Sequence, residues 1–149
     1  ELAACLERLA EAMRRADAYA AKKGVPLLLE PINRYENNYL CNLPDTAAFI
    51  RRAGLTNTGI LADTFHMNIE EADMVRSLRE NAGLIQYIHA ADSNRLYPGG
   101  GHTDFIALFR ALSENGFSGD VSAECLPLPD DATAAKMWLQ NMKGILSNL

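Results

Sequence analysis

The chain has 149 residues, 48% of them hydrophobic and 22% charged, enough apolar mass for one folded core and too much for a disordered chain. A balance of 14 basic against 19 acidic residues leaves a net charge of -5. That charge argues against partners that want a basic face, namely nucleic acid and anionic membranes. No apolar run reaches the roughly 20 residues of a membrane span, and the charged, amphipathic opening does not read as a signal peptide. Cys5, Cys41 and Cys125 are an odd set without CxxC spacing. They suggest a reduced compartment, and the expected location is the cytoplasm.

Leu2, Cys5, Leu6, Leu9, Met13, Ala16 and Ala20 recur at three- and four-residue steps and predict a helix over residues 1–23, stopped by Gly24. Residues 25–29 form an unbroken apolar run ending in Glu30 and Pro31, the pattern of a strand buried on both faces. Pro44, Asp45 and Thr46 open a second helix through Phe49, Ile50 and Ala53, closed by Gly54. Residues 58–62 are the next predicted strand, ending in Asp63. A helix over 71–81, closed by Gly83, leads to a strand over 84–88 that ends in His89. Residues 104–115 are predicted helical with Gly116 as the stop, residues 120–123 form a weak strand ending in Glu124, and residues 131–146 form a last helix.

Helices and strands therefore alternate, which means parallel strands joined by helical crossovers. The pattern fits a doubly wound sheet or part of a (β/α)8 barrel and does not choose between them. No linker or low-complexity stretch divides residues 1–149, so one domain is expected.

Each predicted strand ends in a residue that binds metals: Glu30, Asp63, His89 and Glu124. In a parallel sheet the C-terminal strand ends share one rim, and in α/β barrels that rim carries the active site. One polar residue at a strand end is ordinary, because strands end at the surface; four ligand types in the same place are not. Three carboxylates and an imidazole suit Mn²⁺ first, with Mg²⁺ or Co²⁺ as substitutes. Further polar residues follow each strand end: Asn33, Arg34 and Glu36; His66; then Asp92, Asn94, Arg95 and His102 around the run Gly99-Gly100-Gly101. The glycine run matches no nucleotide-binding fingerprint, and Cys125 reads as packing, not as a nucleophile.

The stretches EPINRYE (from Glu30), DTFHMNIEE (from Asp63) and HAADSNR (from His89) resemble the sugar phosphate isomerase/epimerase family of xylose-isomerase-like TIM barrels. Within it they are most similar to the D-tagatose and D-psicose 3-epimerases. The resemblance implies that Glu30, Asp63, His89 and Glu124 bind one divalent metal and that Glu36, His66 and Arg95 contact the sugar. It departs at Ala91-Asp92, where the family usually has Gly-Glu, and at Cys125, where Pro often follows the last Glu. A whole (β/α)8 barrel takes about 250 residues. The resemblance therefore implies the C-terminal half only: four βα units, strands five to eight, preceded by a helix.

The implied chemistry is proton transfer at C3 of a ketose, with the metal stabilising the enediolate. Epimerisation needs a proton removed from one face and returned to the other, which Glu30 and Glu124 would do. A small sugar or sugar phosphate is the expected partner. A homo-oligomer is expected as well, because the first and last strands of a half-barrel leave unpaired edges. The alternatives are an aldose–ketose or hydroxypyruvate isomerase on the same site, and a half-barrel that keeps the ligands without activity. An endonuclease-IV-like phosphodiesterase would want more histidines than the three present and a basic face.

Overall fold

The computed structural model describes residues 2–149; the first residue of the predicted opening helix, Glu1, lies outside them. Helix α1 (Leu2–Lys22) turns its apolar stripe of Leu6, Leu9, Ala10 and Met13 to the core. Strand β1 is only Leu27–Leu29, shorter than expected. Pro26 has no N–H to give a ladder, and the Val25 N–H turns back to the Ala20 carbonyl at 3.1 Å. Helix α2 (Leu43–Ala53) is capped by Asn42, which accepts from the Asp45 N–H at 2.8 Å. It closes at Gly54, whose φ of 68° is the left-handed conformation that favours glycine. Strand β2 (Thr58–Asp63) runs directly into helix α3 (Thr64–Glu70), which the sequence reading did not anticipate. Helix α4 (Met74–Asn81) starts later than predicted, on the Asp73 cap. Gly83 and Leu84 fall in a 3-10 turn (Ala82–Leu84), so β3 is Ile85–His89. Helix α5 (Phe105–Glu114), β4 (Asp120–Ser122) and α6 (Asp131–Leu146) complete the chain.

The four strands are parallel and lie in the order β1-β2-β3-β4. A doubly wound sheet reverses its strand order at a switch point; this one advances by one neighbour at each crossover, as a TIM barrel does. The fold is therefore α/β and TIM-barrel-like. Ile60, Ala62 and Ile88 share the helix-facing side of the sheet and are fully buried against Phe49, Ile50, Leu78, Leu108 and Phe109. The other side carries Leu28, Leu61 and Tyr87 and is not sealed. Leu28 keeps 36% of its surface exposed, so the expectation that residues 25–29 are buried on both faces is wrong. An apolar run records the preference of the side chains; this strand is an edge, and among the described residues its second face is left partly open. Among the described residues, no helix is long and apolar enough to cross a membrane.

Candidate metal centre

Strand pairing puts Asp63 level with His89, and side chains level on neighbouring strands point the same way. Glu30 follows β1 and Glu124 follows β4, so the four residues come from the ends of all four strands. One ligand atom from each lies within 4.8 Å of every other. His89 Nδ1 faces all three carboxylates: Glu124 Oε2 at 2.9 Å, Glu30 Oε1 at 3.5 Å and Asp63 Oδ2 at 3.8 Å.

Asp63 divides its two oxygens. Oδ1 caps α3 by accepting from the Phe65 N–H at 2.7 Å, so the helix fixes the carboxylate's orientation. Oδ2 is buried and has no hydrogen-bond partner, and the same holds for Glu30 Oε1. Buried polar atoms are rarely left so, and two acceptors beside a third carboxylate repel. Burial first, then the neighbouring Glu124 carboxylate, pushes the Asp63 carboxyl up to about 7. Burial and the Glu124 charge raise Glu30 as well. Burial also acts upward on Glu124, but the adjoining Asp63 carboxyl and the His89 and Arg95 charges outweigh it and leave Glu124 lowered. A divalent cation fits this donor set: it would take the two orphaned oxygens as ligands and reverse the repulsion.

The three residues that the resemblance assigned to the sugar are gathered beside this cluster. His66 is 2% exposed, in the first turn of α3. Burial first, then the Arg95 charge, lowers its pKa. Arg95 reaches Glu124 Oε2 at 3.3 Å and His66 Nε2 at 3.4 Å, and its guanidinium lies over the Phe65 ring, 4.6 Å from the centroid. Its backbone is left-handed, φ 61°, which costs a non-glycine residue about 1 kcal/mol or more. Two hydrogen bonds hold it there: Arg95 N–H to the Asp92 carbonyl and Leu126 N–H to the Arg95 carbonyl, both 2.7 Å. Glu36 is exposed and joins His66 only through Asn33, whose amide bonds Glu36 Oε1 and His66 Nδ1, both at 2.8 Å.

Four supports were not legible as such. Asp92 is wholly buried and accepts from the N–H groups of Ser93 (2.7 Å), Gly99 (2.8 Å) and Thr103 (3.0 Å). Burial alone would raise its pKa; these backbone donors overcome that and hold it below the usual carboxylate range. The glycine run is thus a loop folded over a carboxylate, and a Cβ at Gly101 would strike Asp92 and Ser93. Thr64 ties β2 to β3 through the Ala91 N–H and C=O (3.0 and 2.5 Å). Glu70 accepts from the Arg34 backbone N–H at 2.6 Å and holds its guanidinium at 2.9 and 3.0 Å. Neighbouring Glu71 accepts from the Leu43 N–H at 2.8 Å. The two acids at the end of the DTFHMNIEE stretch therefore build the scaffold, while its Asp and His face the site.

A TIM-barrel-like sheet with an acidic, single-histidine cluster on its C-terminal rim defines a class, and comparison with known proteins agrees. The chain belongs to the xylose isomerase-like TIM barrel family, whose model matches residues 1–142. It is 38% identical over 143 residues to an L-ribulose 3-epimerase of Mesorhizobium japonicum, covering 91% of this chain and 48% of that protein. It is 35% identical over 147 residues to a ketose 3-epimerase of Arthrobacter globiformis, covering 99% and 50%. A solved L-ribulose 3-epimerase superposes with a TM-score of 0.90 at 34% identity, over 95% of this chain and 54% of that one. The chain thus spans about half the length of the relatives it matches.

Proposed function

We propose that this chain carries the metal-binding, proton-transferring part of a ketose 3-epimerase, and that it corresponds to strands five to eight of a (β/α)8 barrel, a single partial domain over residues 1–149. The observation that carries the functional reading is the convergence of Glu30, Asp63, His89 and Glu124 with two of their carboxylate oxygens unpartnered. The names of the relatives support the substrate class. Their doubled length, together with outer edges of β1 and β4 that pair with no strand among the described residues, supports the half-barrel.

Glu30, Asp63, His89 and Glu124 would hold one divalent cation, Mn²⁺ before Mg²⁺ or Co²⁺. When bound, such an ion supplies Lewis-acid stabilisation of charge developing on the sugar oxygens. The protein's own groups do the rest. Glu30 and Glu124 follow the two outermost strands and so approach the centre from opposite sides. One carboxylate takes the C3 proton and the other returns a proton to the opposite face, through the oxygens not engaged in the cluster, Glu30 Oε2 and Glu124 Oε1. His66 and Arg95 orient the sugar oxygens and share their charge, and Glu36 meets a hydroxyl.

Exchange of the C3 proton of a ketose with deuterated solvent, measured on the full-length parent, tests this. Glu30→Gln and Glu124→Gln should each abolish exchange while sugar binding persists. Undiminished exchange in either variant removes that residue from the mechanism. Exchange at C1 in place of C3 moves the chemistry to aldose–ketose isomerisation. No exchange in the parent leaves a fold that keeps its ligands without the activity.

A further inference from the structure

His66 has two ring nitrogens, and the residues around it decide which one carries the proton. Asn33, 1% exposed, meets Nδ1 twice: its backbone N–H lies 3.3 Å away and its side-chain Nδ2 2.8 Å away. The orientation of the Asn33 amide is fixed by two other partners. Oδ1 accepts from the Tyr35 N–H at 2.9 Å, and the opposite end faces the Glu36 carboxylate at 2.8 Å. A backbone N–H only donates and a carboxylate only accepts, so the nitrogen of the amide is the end turned to Glu36 and His66. Both groups at Nδ1 are then donors, and Nδ1 must be the bare acceptor.

The competing arrangement puts the proton on Nδ1 and lets Arg95 donate to a bare Nε2. That contact is 3.4 Å, one long bond gained against a 2.8 Å and a 3.3 Å bond turned into donor-to-donor clashes. The Nδ1 acceptor wins. With the proton on Nε2, His66 and Arg95 both offer donors across 3.4 Å and cannot satisfy each other; an oxygen acceptor placed between them can satisfy both.

We propose that Asn33 is a positioning residue that locks His66 in the tautomer with its proton on Nε2, so that Nε2–H and the Arg95 guanidinium present two donors to one carbonyl or alkoxide oxygen of the substrate. The substrate part rests on the ketose reading above; the tautomer does not. Glu36 acts in the same chain by holding the Asn33 amide, which gives it a role besides any contact with the sugar.

The test is long-range ¹H–¹⁵N correlation of the imidazoles in protein with ¹⁵N-labelled histidine, loaded with Mg²⁺ as a diamagnetic ion. The His66 signals are assigned by their loss in His66→Gln. The wild type should show His66 protonated on Nε2 and bare on Nδ1. Asn33→Asp keeps the acceptor for Tyr35 but replaces the donor at Nδ1 with an oxygen, so the His66 proton should move to Nδ1. Asn33→Ala, which keeps only the 3.3 Å backbone donor, should give averaged signals of mixed tautomers and serves where Asn33→Asp does not fold. A wild type protonated on Nδ1 overturns the proposal, and so do His66 signals that neither variant changes. In the full-length parent, Asn33→Asp should lower kcat/KM for the ketose about tenfold or more with Mn²⁺ uptake unchanged. A wild type with the Nε2 proton in place but no epimerase activity counts against the ketose reading and leaves the tautomer lock standing.

Discussion

Two buried aspartates sit at opposite rims of the same sheet. Asp17, on α1, lies under the start of β2, and both its oxygens are satisfied. Oδ1 accepts from the Asn57 N–H at 3.0 Å and the Thr58 hydroxyl at 2.6 Å, and Oδ2 from the Thr56 N–H at 3.2 Å. Asp63, at the far end of β2, satisfies one oxygen and leaves the other bare. The two residues are buried almost equally, so burial does not separate structure from function here. The unmatched lone pair does. A carboxylate whose acceptors are all used is a fastener; one held in place beside other carboxylates with an acceptor unused could serve as a cation ligand.

The widest gap between the two should appear when each loses its charge. Asp63→Asn keeps the helix cap, since Asn and Asp cap equally well, and removes one of three crowded carboxylates. Metal-free protein should be as stable as wild type or more so, while Mn²⁺ affinity should fall by about 100-fold or more. Thermal melts with and without Mn²⁺ report both. Asp17→Ala should do the reverse, costing about 2–3 kcal/mol by stranding three donors and leaving Mn²⁺ affinity unchanged. Metal binding lost with Asp17, or stability lost with Asp63→Asn, would erase the distinction.

Asp92 extends the comparison to a fastener close to the site. Asp92→Asn puts a donor where three backbone N–H groups converge and should cost about 1–2 kcal/mol. The sign of its pH dependence follows from its depressed pKa. The carboxylate's contribution is complete above the unfolded value of about 4 and is lost as pH falls through the lower, folded value. The stability gap between wild type and variant should therefore narrow on acidification, as urea melts across that range would show. The smallest effect belongs to Arg34. Its pair with Glu70 is well aligned but Arg34 is exposed, so Arg34→Ala should cost under about 1 kcal/mol and less in high salt.

The convergence of Glu30, Asp63, His89 and Glu124 was legible because a parallel sheet sends all its C-terminal ends to one rim, and each apolar run stops at an ionisable residue. What went unread is instructive. Helix α3 follows β2 with no breaker between Asp63 and Thr64, so nothing in the sequence separates strand from helix; the cap, Asp63, is itself a member of the cluster. The start of α4 was misplaced because the glutamates at 70 and 71 look like a helix opening, yet both are spent on other segments, bonding Arg34 and Leu43. The apolar run over residues 25–29 suggested a doubly buried strand, but burial depends on what lies opposite. Asn33 and Asp92 stood out only as polar residues beyond a strand end; the His66 partner of Asn33 and the loop that closes on Asp92 are brought to them only by folding.

The account stands or falls on whether the cluster takes a cation. Titration of metal-free protein with Mn²⁺, followed by the loss of the free-ion electron paramagnetic resonance signal, measures this directly. One bound Mn²⁺ per chain, abolished in Asp63→Ala and retained in Asp17→Ala, is the predicted result. No uptake by the wild type, or equal uptake by Asp63→Ala, would contradict it.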